Sequence, residues 1–186
     1  MLDAQGYAVT GLDGSEELLR FAREHAPGAT FMLADARAFT LTSSQDAVVS
    51  VFDSLNHMMS AVELGQVFQC AHAALRQGGY FWFDLNREYK YRTTWSGESS
   101  IVEDDQVCVV RARYDPASKV ASFDATIFEK DEGWERADVS LFQTWYPESD
   151  VCAALESTGF GEIELSYSRP GAPEESDKVH YLSKKV

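Results

Sequence analysis

Residues 7–19 read YAVTGLDGSEELL, and this stretch decides the fold. Tyr7 to Leu12 is an apolar, β-prone run that stops at Asp13. Ser15 then stands as a helix cap, Glu16 and Glu17 complement the first-turn dipole, and Leu18, Leu19, Phe21 and Ala22 fall at helical spacing. Pro27-Gly28 closes that helix. The rhythm recurs three times downstream. Thr30 to Leu33 is a strand stopping at Asp35, and Ala47 to Phe52 is another, followed by Asp53, Asn56 and His57. A helix runs from about Ala61 to Arg76, Gly78-Gly79 turns the chain, and Tyr80 to Phe83 ends in Asp84-Leu85-Asn86. Strands apolar on both faces that alternate with helices predict a buried parallel sheet with right-handed crossovers.

From about Trp95 the period changes. Val107 to Tyr114, Val120 to Glu129 and Trp134 to Tyr146 alternate with period two, and Asp115-Pro116-Ala117-Ser118 and Asp131-Glu132-Gly133 supply the turns. On the middle strand Ala121, Phe123, Ala125 and Ile127 share one face, and Ser122, Asp124 and Thr126 the other. The expectation is an antiparallel β insertion over residues 95–146, inside an α/β core formed by residues 1–94 and 147–186. Glu98 to Asp105 reads as a solvated acidic loop. Pro147 or Ser149 opens a further helix that Gly159 closes, and Ile163 to Ser168 and Val179 to Val186 form a closing strand pair.

Composition bounds the function. The 186 residues carry 16 Lys and Arg against 30 Asp and Glu, a net charge of -14, which opposes nucleic-acid and anionic membrane surfaces. The apolar share of 45% fits a packed globule, and no apolar run is long enough to span a bilayer. With neither a secretion-type start nor paired cysteines, Cys70, Cys108 and Cys152 read as reduced side chains in the cytoplasm. His25, His72 and His180 lack metal-ligand spacing, so no metal is expected.

In open α/β sheets ligands sit beyond the carboxyl ends of the strands. Those ends carry Asp13, Asp35, Asp53 with Asn56 and His57, and Asp84 with Asn86, a polar rim along one edge. A carboxylate there accepts both ribose hydroxyls of an adenosine cofactor, the role read for Asp13 with Gly14 beside it. Asp35 is placed to accept from an exocyclic amine, and it serves equally well as a turn residue. His57 is a candidate base or a solvated helix-start residue. Tyr146 and Trp145 wall a pocket or fill the core, and Arg87, Lys90 and Arg92 attract an anionic substrate or simply make a polar loop.

The segments GYAVTGLDGSEELL, FMLADAR, DAVVSVFDSLNHM and LRQGGYFWFDLN fall in the order and spacing of class I S-adenosylmethionine-dependent methyltransferases. The chain resembles their small-molecule branch with a β insertion, from about Gly6 to its end. The resemblance implies a Rossmann-like sheet and methyl transfer from S-adenosylmethionine to a small-molecule acceptor. It implies that Asp13 binds ribose, that Asp35 and Ala36 contact adenine, and that Phe52 and Asp53 pass beside the methionine part. Asn56, Asn86 and Tyr146 are then the substrate-side candidates, His57 the catalytic one, and the insertion a lid. No fixed catalytic triad is needed, because methyl transfer from a sulfonium is mainly a matter of orientation and water exclusion.

The departure from the family is at the start. No GxGxG or GxGxxG occurs, and Leu2 to Gly6 reads as the tail of the helix that normally follows that loop. The expectation is a methyltransferase lacking its usual first, central strand and glycine loop, truncated at its N-terminus. Three arrangements accommodate this: the flanking strands pair directly, a second chain fills the slot as in a homodimer, or the working protein extends upstream. The alternative function is a non-catalytic remnant of the fold that acts as a binding or dimerising module.

Overall fold

The computed structural model describes residues 2–186. Leu2 to Gly6 forms a single 3₁₀ turn, Asp3–Gln5, ended by Gly6 at φ 89°, in place of an α-helical tail. Strand β1 (Thr10–Asp13) starts three residues later than Tyr7, and helix α1 (Glu16–His25) follows it. Ser15 caps α1 as expected, its hydroxyl accepting the Leu18 N–H at 3.3 Å. Strand β2 (Thr30–Leu33) lies parallel to β1, with Asp13 opposite Leu33.

The next unit runs from β3 (Gln45–Ser50) through α2 (Ala61–Ala74) to β4 (Leu75–Asn86), and β3 and β4 are parallel. Ser60 Oγ accepts the Glu63 N–H at 3.2 Å and Glu63 reaches back to the Met59 N–H at 2.8 Å, which fixes the start of α2. Strand β4 begins at Leu75, five residues before the expected Tyr80, because the chain pairs with β3 through a register shift on both sides of Gly78-Gly79.

A short helix α3 (Glu88–Thr93) replaces the polar loop expected after Asn86. The antiparallel sheet follows with one strand more than expected: β5 (Gly97–Val102), β6 (Gln106–Asp115), β7 (Val120–Lys130) and β8 (Trp134–Thr144), ordered β5-β6-β7-β8. Strand β5 occupies the tract read as a solvated acidic loop. It is exposed along its whole length, so its sequence shows no apolar alternation. On β7 Ala121 and Ala125 are buried, while Phe123 and Ile127 of the same face are half-buried like Ser122, Asp124 and Thr126 opposite. Helix α4 (Glu148–Thr158) has Pro147 as its N-cap and ends at Gly159, φ 101°; β9 (Phe160–Tyr167) and β10 (Lys178–Lys185) close the chain as an antiparallel pair.

The core lies between α2, α4 and the sheet β3-β4-β10-β9. Phe81, Phe83 and Leu85 point inward from β4, Phe83 stacks on Tyr181 with ring centroids 4.8 Å apart, and Phe68 of α2 packs on Phe81 and Phe83. The expectation of a sheet buried on both faces fails here. Val49, Tyr80 and Trp82 on the opposite face stay 49%, 42% and 42% exposed, because α1 packs on β1 and β2 instead. Nor do the strands flanking the expected gap pair with each other: β1-β2 and β3-β4-β10-β9 are separate sheets, and the facing edges of β1 and β3 share no ladder.

Candidate active site

A cleft of about 1670 Å³ opens between those two edges. Its floor is apolar, with Leu12, Met32, Val48 and Phe81, and its rim carries Asp13, Gly14, Asp35, Ala36, Ser50, Ser54 and His57. Four of the six residues named for the cofactor therefore share one cleft: Asp13, Gly14, Asp35 and Ala36. The parallel pairing of β1 and β2 brings their carboxyl ends together, and the Ala34 N–H donates to Asp13 O at 3.0 Å. Phe52 and Asp53 lie at the turn just beyond β3, between the lining residues Val51 and Ser54, and Phe52 is 84% exposed.

The two acids differ in what they have left to offer. Asp13 accepts the Ser15 N–H through Oδ1 at 2.8 Å, an Asx turn, and among the described residues its Oδ2 makes no hydrogen bond. Asp35 is engaged at both oxygens by Arg37, with Nη2 at 2.6 Å from Oδ2, and Arg37 also reaches Glu63 of α2. The Arg37 guanidinium and its N–H hold the Asp35 carboxyl down at about 2. An adenine amine would have to share Asp35 with Arg37.

His57 lines the cleft at the end of the 3₁₀ turn Ser54–His57. Its Nδ1 lies 2.8 Å from the Phe142 carbonyl, which can only accept, so Nδ1 carries the proton and Nε2 the lone pair. The side-chain amide of Gln143 donates to that Nε2 at 3.1 Å and to Asp53 Oδ2 at 2.8 Å. Gln143 Oε1 accepts from the Tyr91 hydroxyl at 2.9 Å and from Asn86 Nδ2 at 3.3 Å.

The three substrate-side candidates sit apart from the cleft wall. Asn56 is fully buried, donating to the carbonyls of Thr144 at 2.8 Å and Asn86 at 3.2 Å and accepting the Asn86 N–H at 2.8 Å. Asn86 is buried beside it. Tyr146 donates its hydroxyl to the Met58 carbonyl, and burial pushes the phenol up to about 12. These bonds tie the end of β8 to the core. Arg87 pairs with Glu148 at 2.7 Å and Arg92 with Glu88 at 2.6 Å, so both cations are internally matched.

Two residues enter the site that the sequence reading did not select. Gln143 and Lys178 lie 90 and 125 positions from Asp53, which both contact, and no local pattern announces either. Among the described residues there is no group of three or more His, Cys, Asp or Glu arranged to hold a metal.

Residues 1–79 match the family model for a methyltransferase domain. Over that stretch the chain carries a methyltransferase domain. The chain is 26% identical over 165 residues to YqeM of Bacillus subtilis (strain 168), a protein named as a methyltransferase, covering 86% of this chain and 67% of that one. Over 71 residues it is 37% identical to the dTDP-3-amino-3,4,6-trideoxy-alpha-D-glucopyranose N,N-dimethyltransferase of Streptomyces venezuelae, 38% of this chain and 30% of that one. Its fold superposes on the crystal structure of an S-adenosylmethionine-dependent methyltransferase from Clostridium acetobutylicum ATCC 824 with a TM-score of 0.83. That match has 20% identity and covers 96% of this chain and 75% of the other.

The site fits the family's cofactor in its donor set: a carboxylate with a free oxygen at the β1 end, a second at the β2 end, and apolar walls between. Asp13 would hold the ribose hydroxyls, Asp35 and Ala36 the adenine edge, and the stretch around Ser50 and Ser54 the amino-acid part.

Proposed function

We propose that this methyltransferase acts in the cytoplasm on a small polar acceptor carrying an amine or hydroxyl, with the sheet β5-β6-β7-β8 (residues 95–146) as its lid over the core (1–94 and 147–186). The single observation that carries the reading is the convergence of Asp13, Asp35 and His57 on one cleft, with His57 held by the Phe142 carbonyl of β8. S-adenosylmethionine supplies an activated methyl group on a sulfonium. The protein's task is then to align the acceptor, keep water out and take one proton. The Nε2 lone pair of His57 is the proton-accepting atom on the cleft, and it becomes available when the Gln143 amide swings back to Asp53 alone.

An amino sugar is the acceptor class favoured by the Streptomyces venezuelae relative, an N,N-dimethyltransferase of a dTDP-amino sugar. The net charge of -14 supports a small-molecule acceptor over nucleic acid, and no helix of the described residues is long and apolar enough to cross a membrane.

The test is direct. Isotope-labelled S-adenosylmethionine is offered with a panel of amino sugars, simple amines and sugar alcohols, and label is followed into product by mass spectrometry. Transfer to an amine that falls on His57→Ala supports the reading. Failure of the chain to bind S-adenosylhomocysteine, or binding without transfer to any of the panel, refutes it and favours the non-catalytic module.

A further inference from the structure

Among the described residues, only at the end of β3 do two consecutive non-glycine residues take left-handed backbone, Phe52 at φ 61° and Asp53 at φ 54°. Aspartate tolerates that region, but phenylalanine does so rarely, and such strain persists only where the surroundings impose it. The imposing group is Asp84. Its Oδ2 accepts the Phe52 N–H at 3.0 Å and its Oδ1 the Asp53 N–H at 2.6 Å. Asp84 is only 3% exposed, and Lys178 Nζ lies 3.2 Å from Asp84 Oδ1 and 3.4 Å from Asp53 Oδ1, so one ammonium balances both carboxylates.

The chemistry requires a carboxylate. Two N–H donors converge on two oxygens, and an amide in that place would offer one acceptor and set its NH₂ against the second donor. The turn joins two cleft-lining stretches, Ser50-Val51 before it and Ser54-Leu55 after it, so its conformation decides how both face the cleft. Asp84 itself lines no part of the cleft.

We propose that Asp84, with Lys178 as its counter-charge, is a positioning residue that locks the Phe52–Asp53 turn left-handed and so presets the methionine end of the cofactor cleft. The proposal rests on the methyltransferase reading only for the ligand's identity.

The experiment is a double-mutant cycle in the full chain with Asp84→Asn, Phe52→Gly and the pair. Two readouts are taken: amide hydrogen exchange at residues 52 and 53 by NMR, and calorimetric affinity for S-adenosylhomocysteine. Asp84→Asn speeds exchange at both amides while Phe83 stays protected, and weakens binding by roughly tenfold to a hundredfold, the range for a lost charge-assisted hydrogen bond. Glycine adopts positive φ freely. In the Phe52→Gly background the same substitution therefore weakens binding by less than about threefold. Equal losses in the two backgrounds overturn the proposal, since a general loss of stability would not distinguish them.

If Asp84→Asn fails to fold, Asp84→Glu, which keeps the charge for Lys178 but moves the two oxygens off the Phe52 and Asp53 N–H groups, carries the cycle with the same expected and overturning results. A wild-type chain that shows the exchange pattern but binds no S-adenosylhomocysteine supports the clamp and defeats the methyl-donor reading. Unchanged exchange at 52 and 53 on Asp84→Asn defeats the clamp whatever the ligand.

Discussion

Replacing Asn56 with leucine tests how the antiparallel sheet is fastened to the core. The two side chains are similar in size, so the cavity term is small and the change is almost purely one of hydrogen bonding. Asn56 satisfies three backbone groups: the Asn86 N–H at the end of β4, the Asn86 carbonyl, and the Thr144 carbonyl at the end of β8. All three bonds lie in buried surroundings. Each stranded group costs about 1–3 kcal/mol, and partial relaxation brings the sum to roughly 3–5 kcal/mol. Against a domain stability of about 5–15 kcal/mol that is a third or more of the whole. Urea unfolding followed by fluorescence of the four tryptophans measures it, with an unchanged slope showing that the folded surface is preserved. Asn56→Asp serves as the companion variant, because it keeps the acceptor for Asn86 N–H but sets a carboxylate against two carbonyls, and it destabilises at least as much. A loss below about 1 kcal/mol for Asn56→Leu would refute the reasoning, since it would mean that these groups are not sealed from solvent.

Three further outcomes are expected. Asp13→Ala weakens S-adenosylhomocysteine binding by more than about tenfold while thermal stability falls only slightly, because the lost Asx turn is a single part-buried bond; calorimetry beside a melting curve separates the two. The Asp35 carboxyl, held at about 2 by Arg37, gives stability that is present above the ordinary carboxylate value near 4 and is lost as pH falls through about 2. Arg37→Met raises that titration toward 4 in a carbon-detected NMR experiment, and added salt shrinks the difference because the pair is half-exposed. Gly159→Ala destabilises by about 1–2 kcal/mol in chemical denaturation, since residue 159 sits at φ 101° and a Cβ there would lie 2.9 Å from the ring of His72.

Much of the fold was legible because its causes are local. Ser15 caps its helix, Gly159 ends another, and the alternation through Ala121 and Ala125 marks β7. Strand β5 was not legible, since a fully exposed edge strand carries no apolar period. The cleft acids Asp13 and Asp35 could be read from strand ends alone. Asn56 and Asn86 also stand at strand ends, yet the return of β8 buries them, and that return is an 88-residue contact that no window of sequence contains. Gln143 and Lys178 were invisible for the same reason: their partners are far away in the chain and close only in the fold.

The seam between β1 and β3 has a consequence for cooperativity. With no backbone ladder across it, the segment β1-α1-β2 is a unit whose own hydrogen bonds do not depend on the larger sheet. Its amides should therefore open at a lower free energy than those of β4 and β10, as a separate exchanging block. A molecule that fills the cleft from both sides would fuse the two blocks into one, and the merging of their exchange rates would report its arrival without any chemistry taking place.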